Sequence, residues 1–183
     1  MARVCPWWLG YFLINPLRRW RQDPGKILAP YVREGMTVLE PGPGMGFFTI
    51  EIAERVRSAG RVIAVDIQSK MLEKLKRRAA KRGVVDRIET RLAGPESMAI
   101  GDLNGNVDFA FAFAVIHELP PTAAVFPEIA AALKPGGRLL VAEPRGHVKA
   151  AAFDAELAAA AQAGLTVIER PPIAGSHTAL FKK

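Results

Sequence analysis

An acid followed by three alternate glycines, directly after an apolar run, is the tightest constraint on this chain: residues 39–48 read LEPGPGMGFF. Gly42, Gly44 and Gly46 let backbone come close to a ligand with no Cβ in the way, and the segment after them, 47–57, is patterned as a helix. A strand, a glycine turn and a helix start in that order form a nucleotide-like binding corner at the carboxyl end of a strand. The acid narrows the ligand. Glu40 is poorly suited to a pyrophosphate and well suited to an ammonium group. The spacing agrees: it is G-x-G-x-G, with Phe47 where a dinucleotide turn, G-x-G-x-x-G, carries its last glycine.

From Met36 onward strands and helices alternate. Strands are expected at 36–40, 61–66, 87–92, 107–115 and 138–143. Between them fall the helix at 47–57, a second from Ser69, read as its N-cap, to a stop at Gly83, and a third over 122–133. The turn Lys134-Pro135-Gly136-Gly137 precedes the fifth strand, and an alanine-rich helix over 149–163 follows it. Two last strands, 165–170 and 177–181, are close enough to pair as an antiparallel hairpin. Repeated βα units with uncharged strands imply an α/β fold, a mostly parallel sheet covered by helices on both faces. A length of 183 residues suits one domain, with 1–35 as an N-terminal helical cover and 36–183 as the core.

Half of the residues are apolar, so a full core needs no disulfide, and Cys5 is the only cysteine. The apolar run at 7–14 is too short to span a bilayer and no cleavage pattern follows it, so the default location is the cytoplasm. Net charge is +7, concentrated between Ser69 and Arg82 and at Arg18, Arg19 and Arg21. No RNA- or DNA-binding motif accompanies that charge, so a solvated helix face is expected in preference to nucleic-acid binding. No metal site is expected, and the oligomeric state is left open.

The glycine turn, its preceding acid and Asp66 at the end of the second strand together resemble the class I S-adenosylmethionine-dependent methyltransferases. The likeness extends to LKPGGRLLVAEP (133–144) and the terminal hairpin, and covers nearly the whole chain from about residue 24. It implies a Rossmann-like three-layer sandwich with a seven-stranded sheet of order 3-2-1-4-5-7-6, and S-adenosyl-L-methionine as cofactor. Carried onto this sequence, it places Glu40 at the methionine amino group and Gly42, Pro43 and Gly44 under methionine and ribose. Gly46 completes the turn, Asp66 holds the ribose, and Ile67 packs on the adenine. The family usually has an acid after the third strand for the adenine amino group; here Gly94 holds that place and Pro95 has no N–H to give. Glu96 or Ser97 is the expected substitute.

On the acceptor side the loops after strands four and five offer Ile116-His117-Glu118-Leu119 and Glu143-Pro144-Arg145-Gly146-His147. His117 or His147 can serve as a base, with Glu118 as the alternative and bystander histidines as the bland reading. Arg145 is read as orienting an anionic acceptor. The Asn/Asp-Pro-Pro-aromatic motif of adenine N-methyltransferases is absent. FAVIHELP and AEPRGHV look most like the small-molecule branch near the quinone-biosynthesis and arsenite methyltransferases, although one cysteine is too few for arsenite. Trp7, Trp8, Tyr11, Phe12 and Trp20 suggest a lid over an apolar or lipid-like substrate, a peripheral membrane contact, or a helix packed on the core. Two other classes compete: a catalytically silent cofactor-binding module, and a nicotinamide-dependent oxidoreductase, which the glycine spacing and the lack of a Tyr-x-x-x-Lys pair disfavour.

Overall fold

The computed structural model describes residues 21–94, 97–119 and 125–183. The aromatic stretch before Arg21, Pro95, Glu96 and the first residues of the third expected helix lie outside them. Seven strands form one sheet in the order β3-β2-β1-β4-β5-β7-β6, as the resemblance implied. They are β1 (Thr37–Pro41), β2 (Arg61–Asp66), β3 (Ile88–Leu92), β4 (Val107–Phe113), β5 (Leu133–Pro144), β6 (Thr166–Glu169) and β7 (Ser176–Lys182). The first five run parallel, and β7 is antiparallel to both β5 and β6. Among the described residues the α-helices are α1 (Pro24–Leu28), α2 (Thr49–Val56), α3 (Ser69–Lys81), α4 (Val125–Ala132) and α5 (Ala150–Gln162).

The period of two along each strand divides the core. In β4, Phe109, Phe111 and Phe113 point to one face and Ala110 and Ala112 to the other. The phenylalanines pack with Leu28, Ile52 and Val56 of α1 and α2, whereas the small alanines leave room for Ile129 of α4 and Phe153 of α5. Phe48 stands over the end of the ladder, 4.9 Å from the Phe111 ring and 4.6 Å from Phe113, and so pins the residues just past the glycine turn. Tyr31 stacks on Phe109 at 5.6 Å. Leu28, Tyr31 and Val32 are thus built into the core.

Several boundaries differ from the sequence reading, each for a physical reason. The second helix starts at Thr49, because Phe47 and Phe48 are spent on the turn. Ser69 does not cap α3: Gln68 is the N-cap residue and no side chain closes that end. Strand β4 stops at Phe113, where Ala114 takes a left-handed φ of 54° and turns the chain. The Lys134–Gly137 turn is a bulge inside a longer β5, since Val107 pairs with Leu133 and Phe109 already with Arg138. Its backbone is held by the chain end, where Gly136 N–H donates to the Lys183 carbonyl and Lys183 N–H to that of Gly137. The basic run on α3 is partly structural: Arg78 donates to the Met45 carbonyl and Arg82 bonds Glu54 on α2 at 2.6 Å. Among the described residues, no helix is long and apolar enough to cross a membrane.

Candidate active site

Parallel strands present their carboxyl ends on one edge, and in this sheet β1, β2 and β5 each carry an acid as their last or next-to-last residue: Glu40, Asp66 and Glu143. All three are buried. Glu40 and Asp66 border a cleft of about 350 Å³, opening where β1 and β4 lie side by side and the chain crosses from one half of the sheet to the other, while Glu143 lies behind its wall.

The glycine turn forms its floor. Gly42 donates to the Val65 carbonyl at 2.8 Å and thereby crosses the end of β2. A Cβ on Gly42 would come within 2.4 Å of Val115 Cγ2, and one on Gly46 within 2.3 Å of Leu75 Cδ1. Both also have positive φ, so these glycines are required by packing and by backbone together. Gly44 differs, because nothing lies within 4 Å of the Cβ it lacks. Its bare backbone, with that of Pro43, faces the cleft.

Glu40 is 3 % exposed and its Oε2 has no hydrogen-bond partner. Burial, with the nearby Asp66 charge added, pushes its carboxyl up to about 8. Asp66 accepts from Gln68 N–H at 2.9 Å and is raised to about 6, mainly by burial, with Glu118 pushing the same way. Ile67, beside it, is 42 % exposed and lines the cleft.

The loop after β3 departs from expectation. Gly94 N–H is closed onto the Ser97 carbonyl at 3.0 Å, and Ser97 Oγ accepts from Ala99 N–H at 3.0 Å. Ser97 caps its own loop and does not line the cleft; Ala93 and Met98 do. Glu128 on α4 fixes that loop by accepting from Met98 N–H at 2.9 Å. Pro95 and Glu96 lie outside the described residues.

On the opposite wall a short 3-10 turn, Ile116–Glu118, brings His117 and Glu118 to the cleft, and His147 joins them from the loop after β5. The two imidazoles meet edge to face, with centroids 5.9 Å apart. Arg145 does not join them: it lies outside the cleft lining, and its Nε donates to the Ser176 carbonyl at 3.1 Å. The residue that the sequence reading passed over is Glu143. It is fully buried, its Oε1 accepts from Val115 and Ile116 N–H at 3.0 Å each, and its Oε2 meets His117 Nδ1. That contact raises the His117 pKa. The available signal was the shared pattern of VLE, AVD and VAE, three apolar strands each closed by an acid.

Residues 32–170 match the family described as a methyltransferase domain, and the chain belongs to that family. Its sheet order and glycine corner are those of the class I S-adenosylmethionine-dependent methyltransferases. Over 126 residues it is 32% identical to a ubiquinone/menaquinone biosynthesis C-methyltransferase, UbiE, of Brucella suis, covering 69% of this chain and 46% of that protein. An arsenite methyltransferase of Halobacterium salinarum is 31% identical over 109 residues, covering 60% of this chain and 27% of the relative. The chain therefore spans about half, or less, of the length of these relatives. A solved structure of a SAM-dependent methyltransferase from Aquifex aeolicus superposes with a TM-score of 0.85 at 23% identity and 98% coverage of both chains, a likeness of fold.

Proposed function

We propose that the protein binds S-adenosylmethionine and transfers its methyl group to a small or lipid-like acceptor that carries no negative charge. The observation that carries this reading is Glu40. A carboxylate 3 % exposed, with one oxygen unpartnered beside a bare glycine turn, suits an ammonium group that brings its own hydrogen bonds. Asp66 suits a ribose diol, Ile67 a base, and the three carboxylates at the cleft, Glu40, Asp66 and Glu118, suit a sulfonium cation. A pyrophosphate would face the same carboxylates, which counts against the nicotinamide reading.

Bound there, the cofactor supplies a methyl carbon whose bond to sulfur breaks, leaving the electron pair on sulfur, as its bond to the acceptor forms. What this chain contributes is position, exclusion of water and a place for the proton that the acceptor loses. His117 takes that proton. Phe113, Val115, Leu119 and Met98 give the cleft apolar walls, and no Lys or Arg is among its described lining residues. That composition favours an uncharged acceptor. The similarity to UbiE supports a ring-bearing, quinone-like compound methylated at carbon. An arsenite acceptor fits poorly, because Cys5 is the only thiol.

The silent-module reading draws on one observation: no acidic side chain described at the adenine end takes the place of Gly94. Calorimetry with S-adenosylmethionine, its demethylated product and NAD, followed by transfer of labelled methyl to a pool of quinone precursors and phenols, separates the readings. Binding of the first two and label in a product supports methyl transfer. Binding without turnover across the pool favours the silent module, and preference for NAD overturns both.

A further inference from the structure

The mechanism just given uses His117 but leaves two acids near it, buried Glu143 and half-buried Glu156, unexplained. Glu143 lies within the sheet, on β5, where its backbone pairs with His177 of β7. A carboxylate withdrawn from water this far is costly unless its lone pairs are met by donors. Here two donors are the successive N–H groups of Val115 and Ile116, which the left-handed turn at Ala114 aims inward. An alanine in that conformation is strained, so the surrounding contacts must hold it there. The third donor is the His117 ring, because a carboxylate oxygen on Nδ1 requires the proton to sit on Nδ1.

The two imidazole nitrogens lie on different edges of the ring. Glu143 is 0 % exposed while the His117 side chain keeps 21 % of its surface and lines the cleft, so the accessible edge is the one carrying Nε2. A second acid stands behind the pair. Glu156 on α5 has a buried Oε2 without a hydrogen-bond partner and is within electrostatic reach of both Glu143 and His117.

The geometry points to Glu143 as a positioning residue: anchored by the Val115 and Ile116 amides, it holds His117 as the Nδ1–H tautomer and leaves the Nε2 lone pair to take the acceptor's proton. This rests on the methyl-transfer reading above for the proton's source, but the tautomer itself does not. Glu118 on the same turn, Glu143 on β5 and Glu156 on α5 all favour the protonated ring, while partial burial opposes it. The balance makes His117 a stronger base than an ordinary histidine. Glu156 is itself held up to about 7, by burial first and by Glu143 second, so its ionisation adds to that basicity near neutral pH. His147, edge-on to His117, is the remaining titratable neighbour from the loop after β5.

The test is ¹⁵N NMR of the imidazoles in the full chain, with pH-rate profiles of the same proteins. Wild type should show His117 with Nδ1 protonated, Nε2 unprotonated, and a titration midpoint above that of a free histidine. Glu143→Gln keeps shape and can still accept from both amides, but its NH₂ then faces Nδ1. The tautomer should invert, the midpoint should fall, and turnover should drop about 10²–10⁴-fold with cofactor affinity within about twofold. Glu143→Asp should restore the wild-type tautomer and part of the rate, which a purely structural role would not predict. An Nε2–H tautomer in wild type, or an unchanged tautomer and midpoint in Glu143→Gln, overturns the assignment. Should Glu143→Gln fail to fold, the wild-type spectrum alone decides it. Should wild type bind no cofactor, the methyl-transfer reading fails, and the spectra still establish or refute the dyad.

Discussion

Glu40, next to last in β1, and Asp66, last in the adjacent parallel strand β2, face one cleft, where the Asp66 charge works against ionisation of Glu40. Two acids held this close and this dry are unfavourable in the empty protein and become favourable when a cation and a diol arrive. Asp66→Ala removes the acceptor proposed for the ribose diol. Hydrogen bonds to a charged group are worth roughly 1.5–3 kcal/mol each, so affinity for S-adenosylmethionine should fall at least about tenfold. Calorimetry checks this, and an unchanged dissociation constant would remove Asp66 from the site.

The raised Glu40 carboxyl links stability and binding to pH. Its pKa goes from 4.5 in the unfolded chain to about 8 in the folded protein. The stabilisation is therefore fully present below pH 4.5 and is lost progressively as pH rises to about 8. In Glu40→Gln this contribution to the slope of stability against pH should vanish, as urea titrations at pH 5 and pH 8 would show. An ammonium at Glu40 favours the ionised form, so cofactor binding at pH 7 should release close to one proton. Binding enthalpies in buffers of different ionisation heat measure that number, and no proton release would place the ammonium elsewhere.

What the sequence made legible was local. The glycine turn, Glu40, Asp66 and the alternation of strands and helices all depend on neighbours a few residues away. The β5 bulge was read as a plain turn because the groups that hold it belong to Lys183, at the far end of the chain. Glu143 went unassigned for the same reason: its donors sit on the turn after β4, and only the parallel pairing of β4 with β5 brings them together. Arg145 was misjudged because its partner, Ser176, arrives on the hairpin. Charge and strand ends can be read from spacing, but the partner of a buried polar group cannot.

Leu75 Cδ1 fills the space beside Gly46, 2.3 Å from where a Cβ would stand. Gly46→Ala must therefore push Leu75 aside while holding a φ of 83°. Overpacking costs about 1–3 kcal/mol and left-handed strain about 1–2 kcal/mol, so destabilisation of about 2–5 kcal/mol is expected. Leu75→Ala removes the clash but not the strain. In that background Gly46→Ala should cost less by about 1–3 kcal/mol, a coupling that a four-member denaturation cycle reads directly. Simple additivity would show that the turn moves away from α3 instead.

The last expectation separates the two histidines. Both line the cleft, but only His117 is held by a buried carboxylate, and His147 meets it through ring contact. His117→Gln should lower turnover by about 10²–10⁴-fold with little change in cofactor affinity, since the Glu40–Asp66 wall is untouched. His147→Gln should cost much less, mainly in acceptor KM. The pH dependence gives the sign. Glu143 first, then Glu118 and Glu156, hold the His117 pKa above 6.5, so wild-type rate should rise with pH through that raised value. In His117→Gln this rise should disappear, while in His147→Gln it should persist. If the profile instead flattens only in His147→Gln, the proton goes to His147, and the base lies on the loop after β5.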